Sequence, residues 1–147
     1  KTYKQMTNSS HPKNTKVLYK NYGDFENNGI DVDHADFCNT WESNREDVFK
    51  RFKQERYANT SLLRLTVCIR GMTNKHGKRK GMTLDKCIDK IVEELKYNSY
   101  TYKIRPLTLK EWGMPLKANG FEPSEQGDCL AFTYGTMVNM IFLIEKL

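Results

Sequence analysis

The 147-residue chain has no apolar run long enough to cross a membrane and no recognisable secretory signal. It has no internal repeat and no low-complexity tract, so neither a solenoid nor a fibrous architecture is expected. Cysteine is sparse. Cys38, Cys68, Cys87 and Cys129 are widely spaced and form no C-x-x-C pair, which removes the usual zinc and disulfide signatures. The expectation is four reduced thiols in a cytoplasmic protein, with Cys68 on a strand and Cys87 on the apolar face of a helix. Length alone allows a real core without metal or cross-links.

What the chain does have is positive charge. Lysine and arginine number 24 against 18 acids, giving a net charge of +6 and a pI near 9.1. An anionic partner is implied. On charge alone, nucleic acid, an acidic protein, a phosphorylated cofactor and a membrane surface all stay open. With no apolar run, a membrane is not expected. The acids are spread through the chain, so no block of one sign dominates.

Residues 1–16 are polar and read as a flexible arm, and residues 17–147 as a single α+β domain. Val17 to Tyr22 and Ile30 to Asp33 are candidate strands around a glycine-bearing turn. Ser43-Asn44-Arg45-Glu46 has capping-box spacing and opens a predicted helix that ends near Ala58-Asn59. Ser61 to Arg70 alternates as a strand, with Leu63, Leu65, Val67 and Ile69 on its apolar face. Leu84, Cys87, Ile88, Ile91, Val92 and Leu95 make an apolar helical stripe. Tyr100 to Ile104 reads as a strand. Thr108-Leu109-Lys110-Glu111 repeats the capping-box spacing, ahead of a short helix that Asn119-Gly120-Phe121 would end. Cys129 to Tyr134 and Met137 to Ile144 read as a hairpin about Gly135. Its Met- and Ile-rich part could offer an edge for a homodimer.

Between the Ser61 strand and the striped helix lies a basic loop, residues 71–82. Lys78-Arg79-Lys80-Gly81-Met82-Thr83 combines cations, a glycine that lets backbone approach closely, and a small residue at a helix start. Those are the requirements of a pyrophosphate seat, in which unpaired N–H groups and a helix dipole meet the anion. The same residues also fit a solvated basic loop or a nucleic-acid backbone contact through Lys75, Lys78, Arg79 and Lys80.

The stretch from residue 62 onward resembles the acyl-CoA-binding core of the GNAT N-acetyltransferases. That family has a strand, an Arg/Gln-x-x-Gly-x-Gly/Ala loop, a long helix, a strand, a short helix ending in a Gly-Phe pair, and final strands. Lys78, Gly81 and Thr83 occupy the loop positions, and Gly120-Phe121, followed by Glu122, the later pair. The resemblance implies a GNAT-like mixed, mostly antiparallel central sheet with helices packed on it. It implies N-acyl transfer from acetyl-CoA as co-substrate to an amine-bearing acceptor, small molecule or protein. The pyrophosphate would lie on Lys78, Arg79, Lys80, Gly81, Met82 and Thr83, and the pantetheine arm on backbone near Val67, Cys68 and Ile69. The chain departs from the pattern at several positions. Lys78 and Thr83 are not the usual types, Leu116 stands where a tyrosine commonly protonates the thiolate, and Lys110 lies near a missing asparagine. The segment before Ser61 does not supply the family's N-terminal elements. A degenerate CoA-binding relative therefore fits as well as an active enzyme.

No general base is assigned; Glu111, Asp33 and His34 are titratable candidates. Asp31, Asp33, His34 and Asp36 are chemically suited to a metal, as in a metal-dependent nuclease, but strand alternation splits them between two faces. Tyr19, Tyr22, Tyr57, Tyr97, Tyr100 and Tyr102 sit among cations. Their favoured reading is polar-tipped aromatics on half-buried strands rather than a base-stacking platform. Against the transferase stands a non-enzymatic basic binding module for nucleic acid or an acidic protein.

Overall fold

The computed structural model describes residues 15, 16, 18, 20–108, 111, 122–126 and 129–147. Among these, a 3-10 turn at Tyr22–Asp24 precedes β1 (Ile30–Thr40), α1 (Trp41–Lys53), β2 (Tyr57–Cys68), α2 (Leu84–Tyr97), β3 (Tyr102–Pro106), β4 (Glu122–Gln126), β5 (Cys129–Tyr134) and β6 (Met137–Lys146). The architecture is α+β. Its sheet is mixed: β1 and β2 are parallel, and the other four pairings are antiparallel.

Strand β6 organises the sheet. One of its edges pairs with β2 from Cys68↔Met137 to Thr60↔Glu145. Its other edge is shared. β5 takes residues 137–140 and β3 takes residues 142–146, and the changeover falls at Ile141, whose carbonyl accepts from Leu107 N–H at 2.8 Å. Strands β2 and β3 both run antiparallel to β6, so they are parallel to each other with β6 between them. The two-residue Gly135-Thr136 link between β5 and β6 needs a positive φ at its first position, and Gly135 supplies φ +59°.

Alternation sorts the two faces. Leu63, Leu65 and Val67 pair in register with Phe142, Met140 and Val138, and all six are fully buried. Ala35 on β1 and Ile104 on β3 continue the same face. Against it lie Trp41, Val48, Phe49 and Phe52 of α1 and Cys87, Ile88, Ile91 and Leu95 of α2. Burying each such large side chain stabilises by roughly 1.5–3 kcal/mol. The opposite face carries Val32, His34, Asp36, Arg64 and Thr66, none of them buried.

Several expectations shift on inspection. Helix α1 starts three residues early, capped by Thr40, whose hydroxyl accepts from Ser43 N–H, and not by Ser43. The earlier start places Trp41 inside the core, where its Nε1–H donates to Glu94 at 2.8 Å. Strand β2 begins at Tyr57, within the residues expected to close α1, because the buried Tyr57 ring packs on Phe52 at 4.8 Å. Strand β1 runs on to Thr40, past the expected end at Asp33. Tyr22 opens a 3-10 turn and not the end of a strand. Strand β3 starts at Tyr102 and includes Pro106. The second capping box forms as read: Glu111 accepts from Thr108 N–H at 3.2 Å, and Thr108 accepts from Glu111 N–H at 3.4 Å. Lys110, Leu116, Gly120 and Phe121, and residues 1–14 of the expected arm, lie outside the described residues.

Four elements are tied together at one buried charge. Asp33 on β1 and Arg51 on α1 pair at 2.7 Å, with side chains 5% and 7% exposed. The Asp33 carboxylate also accepts from the Tyr22 and Tyr57 hydroxyls. The Arg51 guanidinium donates to the Tyr22 carbonyl at 2.9 and 3.2 Å and stacks on the Tyr22 ring. Burial, then the adjacent Asp33 carboxylate, pushes the Tyr22 phenol well above its usual range, and burial does the same to Tyr57. Both therefore stay protonated as donors. Asp33→Ala, leaving Arg51 buried and unpaired, is expected to cost about 3–5 kcal/mol in urea denaturation. A loss below about 1 kcal/mol, the scale of an exposed pair, would show that the charge is not sequestered.

Candidate functional site: the basic loop at the mouth of the two helices

Strands β1 and β2 are parallel, so their C-terminal ends lie on one side of the sheet, with Thr40 opposite Cys68. Each leads into a helix whose first turn is capped by a threonine, Thr40 for α1 and Thr83 for α2. The loop from Arg70 to Thr83 spans this side.

Its root is fixed by Glu42, in the first turn of α1. One Glu42 oxygen accepts from Thr73 N–H and Oγ1–H, both at 3.2 Å, and from Lys90 Nζ at 2.8 Å. Lys90 also donates to the Thr73 carbonyl at 2.7 Å. Farther along the helices, Glu94 accepts from Trp41 and Arg45. Burial works against the Glu42 charge, but Lys90 and the Thr73 donors outweigh it and hold the carboxyl below its usual range.

The loop's interior is built on Asn74. Its side-chain oxygen accepts from His76 N–H at 2.9 Å and Lys78 N–H at 3.0 Å, and its backbone N–H donates to the Lys78 carbonyl at 2.7 Å. The Asn74 carbonyl accepts from Gly77 N–H at 2.9 Å. Such Asx geometry is what Asn followed by Gly three residues on can provide. Nothing in the charge pattern marked Asn74 or Glu42, although Asn74-x-x-Gly77 is a readable turn signal.

The nine residues expected to hold a cofactor divide into two groups. Val67 is fully buried on the helix-packed face. Cys68 ends β2, with Thr40 on one side and Met137 on the other. Ile69 N–H already donates to the Thr136 carbonyl at 2.9 Å. This backbone belongs to an interior strand of the sheet. The Cys68 thiol, beside the Thr136 hydroxyl and then the Arg70 amide, is held below its usual range.

Lys78, Arg79, Lys80, Gly81, Met82 and Thr83 do come together in the loop. The Met82 and Thr83 N–H groups point into it, donating to the Arg79 carbonyl at 3.2 Å and the Gly81 carbonyl at 3.1 Å. Thr83 Oγ1 takes the Lys86 N–H at 3.3 Å. Three donors that could have faced an anion are thus engaged within the chain. The side chains remain outward. Arg70, Lys75, Lys78, Arg79, Lys80 and Lys86 are all exposed, and none has an ion-pair partner among the described residues. Gly71, at φ +77°, lets the Arg79 guanidinium lie over the backbone; a Cβ there would come within 3.3 Å of it.

The remaining candidates lie elsewhere. Asp33 is consumed by Arg51. His34 and Asp36 are exposed on the open face of β1. Asp31, Asp33, His34 and Asp36 do not converge, and no group able to hold a metal occurs among the described residues. Glu111 is paired with Arg105 at 2.7 Å; Arg105, with the Thr108 amide, draws its carboxyl down to about 2. Tyr57 and Tyr102 are buried, while Tyr97 and Tyr100 are exposed at the far end of α2. A polar cleft of about 640 Å³ opens by the 3-10 turn, away from the loop. Two of its three cations are already engaged, Lys50 with Asp24 at 2.9 Å and Arg56 with Asn28 at 2.7 Å; the third is Lys20. No described helix is long and apolar enough to cross a membrane.

The chain matches no protein-family model, no curated protein and no solved structure.

Two outcomes follow for the loop. Asn74→Ala removes two accepted hydrogen bonds and should cost about 1–2 kcal/mol, with the Lys78 amide losing its protection from hydrogen exchange. Because Glu42 has a lowered folded-state pKa, its anchoring is complete above the usual carboxylate range and is lost as pH falls through the lowered value. The Thr73 amide resonance should therefore titrate only in acid, and Glu42→Gln should abolish that titration.

Proposed function

We propose that the protein is a non-enzymatic binding module that docks the phosphate backbone of a nucleic acid on the Arg70–Lys86 surface. The observation that carries this reading is the set of six exposed cations without carboxylate partners among the described residues, five on a loop braced by Asn74 and Glu42 and Lys86 in the first turn of α2. A braced loop presents charge without a large ordering cost on binding. No exposed aromatic accompanies these cations in residues 70–86. Contact with phosphates, not base stacking, is therefore the expected mode, with little sequence preference. An acidic protein partner shares the charge requirement but lacks the regular phosphate spacing that several neighbouring cations can follow.

A second reading, acetyl transfer from acetyl-CoA to an amine in the manner of the GNAT family, has one observation in its favour. β2, the loop, the capped helix α2 and β3 follow in that order, with β3 parallel to β2. Three features weigh against it. The Met82 and Thr83 amides are occupied, β6 fills the space between β2 and β3, and the backbone at residues 67–69 is engaged in the sheet.

The readings separate in two measurements. Binding to a labelled duplex should weaken with salt along a slope of log K against log salt of about −3 to −5 if most of the six cations meet phosphates. Lys78→Glu combined with Arg79→Glu should flatten that slope and lower affinity at least about tenfold at low salt. Acetyl-CoA should leave the melting temperature unchanged. A saturable rise with acetyl-CoA, abolished by Lys78→Glu, together with salt-independent or absent duplex binding, would favour the transferase.

A further inference from the structure

The Met- and Ile-rich C-terminal hairpin expected to offer an edge for self-association is β5 and β6; β6 is paired by β2 on one side and by β3 and β5 on the other, and β5 lies between β6 and β4. The long free edge belongs to β1. It pairs with β2 alone, and no other described strand bonds to its outer side. It is eleven residues long, Ile30–Thr40. It carries neither lysine nor proline, although it holds Asp31, Asp33 and Asp36 and its pairing with β2 is irregular between Ile30 and Val32 and between Asp36 and Thr40. On its open face Val32, His34, Asp36 and Cys38 are exposed, Val32 to 67%.

We propose that this edge is the interface of a two-fold symmetric homodimer, in which β1 pairs antiparallel with β1 of a second copy about an axis at Ala35. The argument is self-complementarity. In an antiparallel pair, residues directly opposite share a face, so a two-fold axis passes through a residue position. Ala35 is the midpoint of the strand and lies within its regularly paired stretch, Val32–Asp36, so an axis there gives the largest overlap. That register sets His34 opposite Asp36 twice, imidazole against carboxylate. It also sets Val32 opposite Cys38 twice, two exposed and largely apolar side chains. On the helix-packed face, Asp33 meets Phe37 and Asp31 meets Asn39, so no like charges face each other. The neighbouring registers are worse. An axis at His34 sets the imidazoles against each other, one at Asp36 sets two carboxylates against each other, and one at Asp33 does the same in the interior. An imidazole facing a carboxylate can donate a hydrogen bond to it, whereas two facing carboxylates repel, so the Ala35 axis is favoured over those at Asp33 and Asp36.

The resulting sheet runs without a break through both copies. Because the β1 strands are antiparallel, the two basic loops lie at opposite ends of it. The dimer does not depend on what those loops bind.

The first test is sedimentation velocity over a wide range of concentration, with a concentration-dependent shift from monomer to dimer expected. Two exposed positions then test the register. His34→Asp alone replaces two imidazole–carboxylate contacts with two carboxylate–carboxylate contacts and should weaken association by about tenfold. The doubly exchanged protein, with His34→Asp and Asp36→His together, restores both imidazole–carboxylate contacts and should recover it. Val32→Cys, oxidised mildly, should give a covalent dimer in which mass spectrometry finds residue 32 joined to Cys38 of the other copy. Circular dichroism of each variant should match the parent, since these side chains lie outside the core. A monomer at every concentration would overturn the proposal. So would a His34→Asp exchange without effect, a double exchange that fails to restore association, or cross-links that join other positions.

Discussion

The last strand of the chain sits in the middle of the sheet, and the rest of the structure depends on that insertion. Residues 137–146 separate β2 from β3 and carry the central stripe of the core, Val138, Met140, Phe142 and Ile144, against both. Until β6 is in place, β2 has only β1, and β3 has no sheet partner at all. Such long-range pairing demands loop closure before contacts reward it, so assembly of the sheet is expected to be slow and late. The same insertion removes the gap that two adjacent diverging parallel strands would leave. Among the described residues, β2 and β3 therefore do not lie side by side, and the segment from β2 to α2 faces no gap between them.

The second constraint is the division of labour between polar groups. Among the described residues, the charges buried in the helix-packed layer are answered from within: Arg51 has Asp33 and the Tyr22 carbonyl. The half-buried Glu94 likewise has Arg45 and the Trp41 indole. Charges on the Arg70–Lys86 surface are not answered by any described carboxylate. A buried pair such as Asp33–Arg51 specifies geometry more than it adds net stability, because desolvation offsets much of the attraction. Here it sets the position of the 3-10 turn over β1 and α1. The unanswered loop cations have the opposite character: solvated, cheap to keep, and available to a partner.

How much of this was legible depends on the range of the cause. The α2 stripe, its Thr83 start and the Gly135 hairpin rest on local periodicity and local backbone preference, and they are found as read. The Thr108–Glu111 box is likewise local. The start of α1 was misplaced because two overlapping caps are possible from residue types alone, and only burial of Trp41 chooses between them. Helical periodicity places Arg51 beside charged neighbours, whereas its partners are 18 and 29 residues away at Asp33 and Tyr22. The acidic cluster around Asp33, of residue types that suit a metal but split between two strand faces, holds a structural anchor plus exposed edge residues. Sheet order was not readable at all. Strand sequences announce which faces are apolar but not which neighbour they will take.

The sheet order is also the point at which direct measurement bears hardest. Nuclear Overhauser contacts between backbone protons across β6 would settle it in solution. Expected are contacts from Leu65 to Met140 and from Ile104 to Ile144, with none between the backbones of β2 and β3. Direct contacts between those two strands, with β6 displaced to an edge, would contradict the insertion and reopen the space beside the loop.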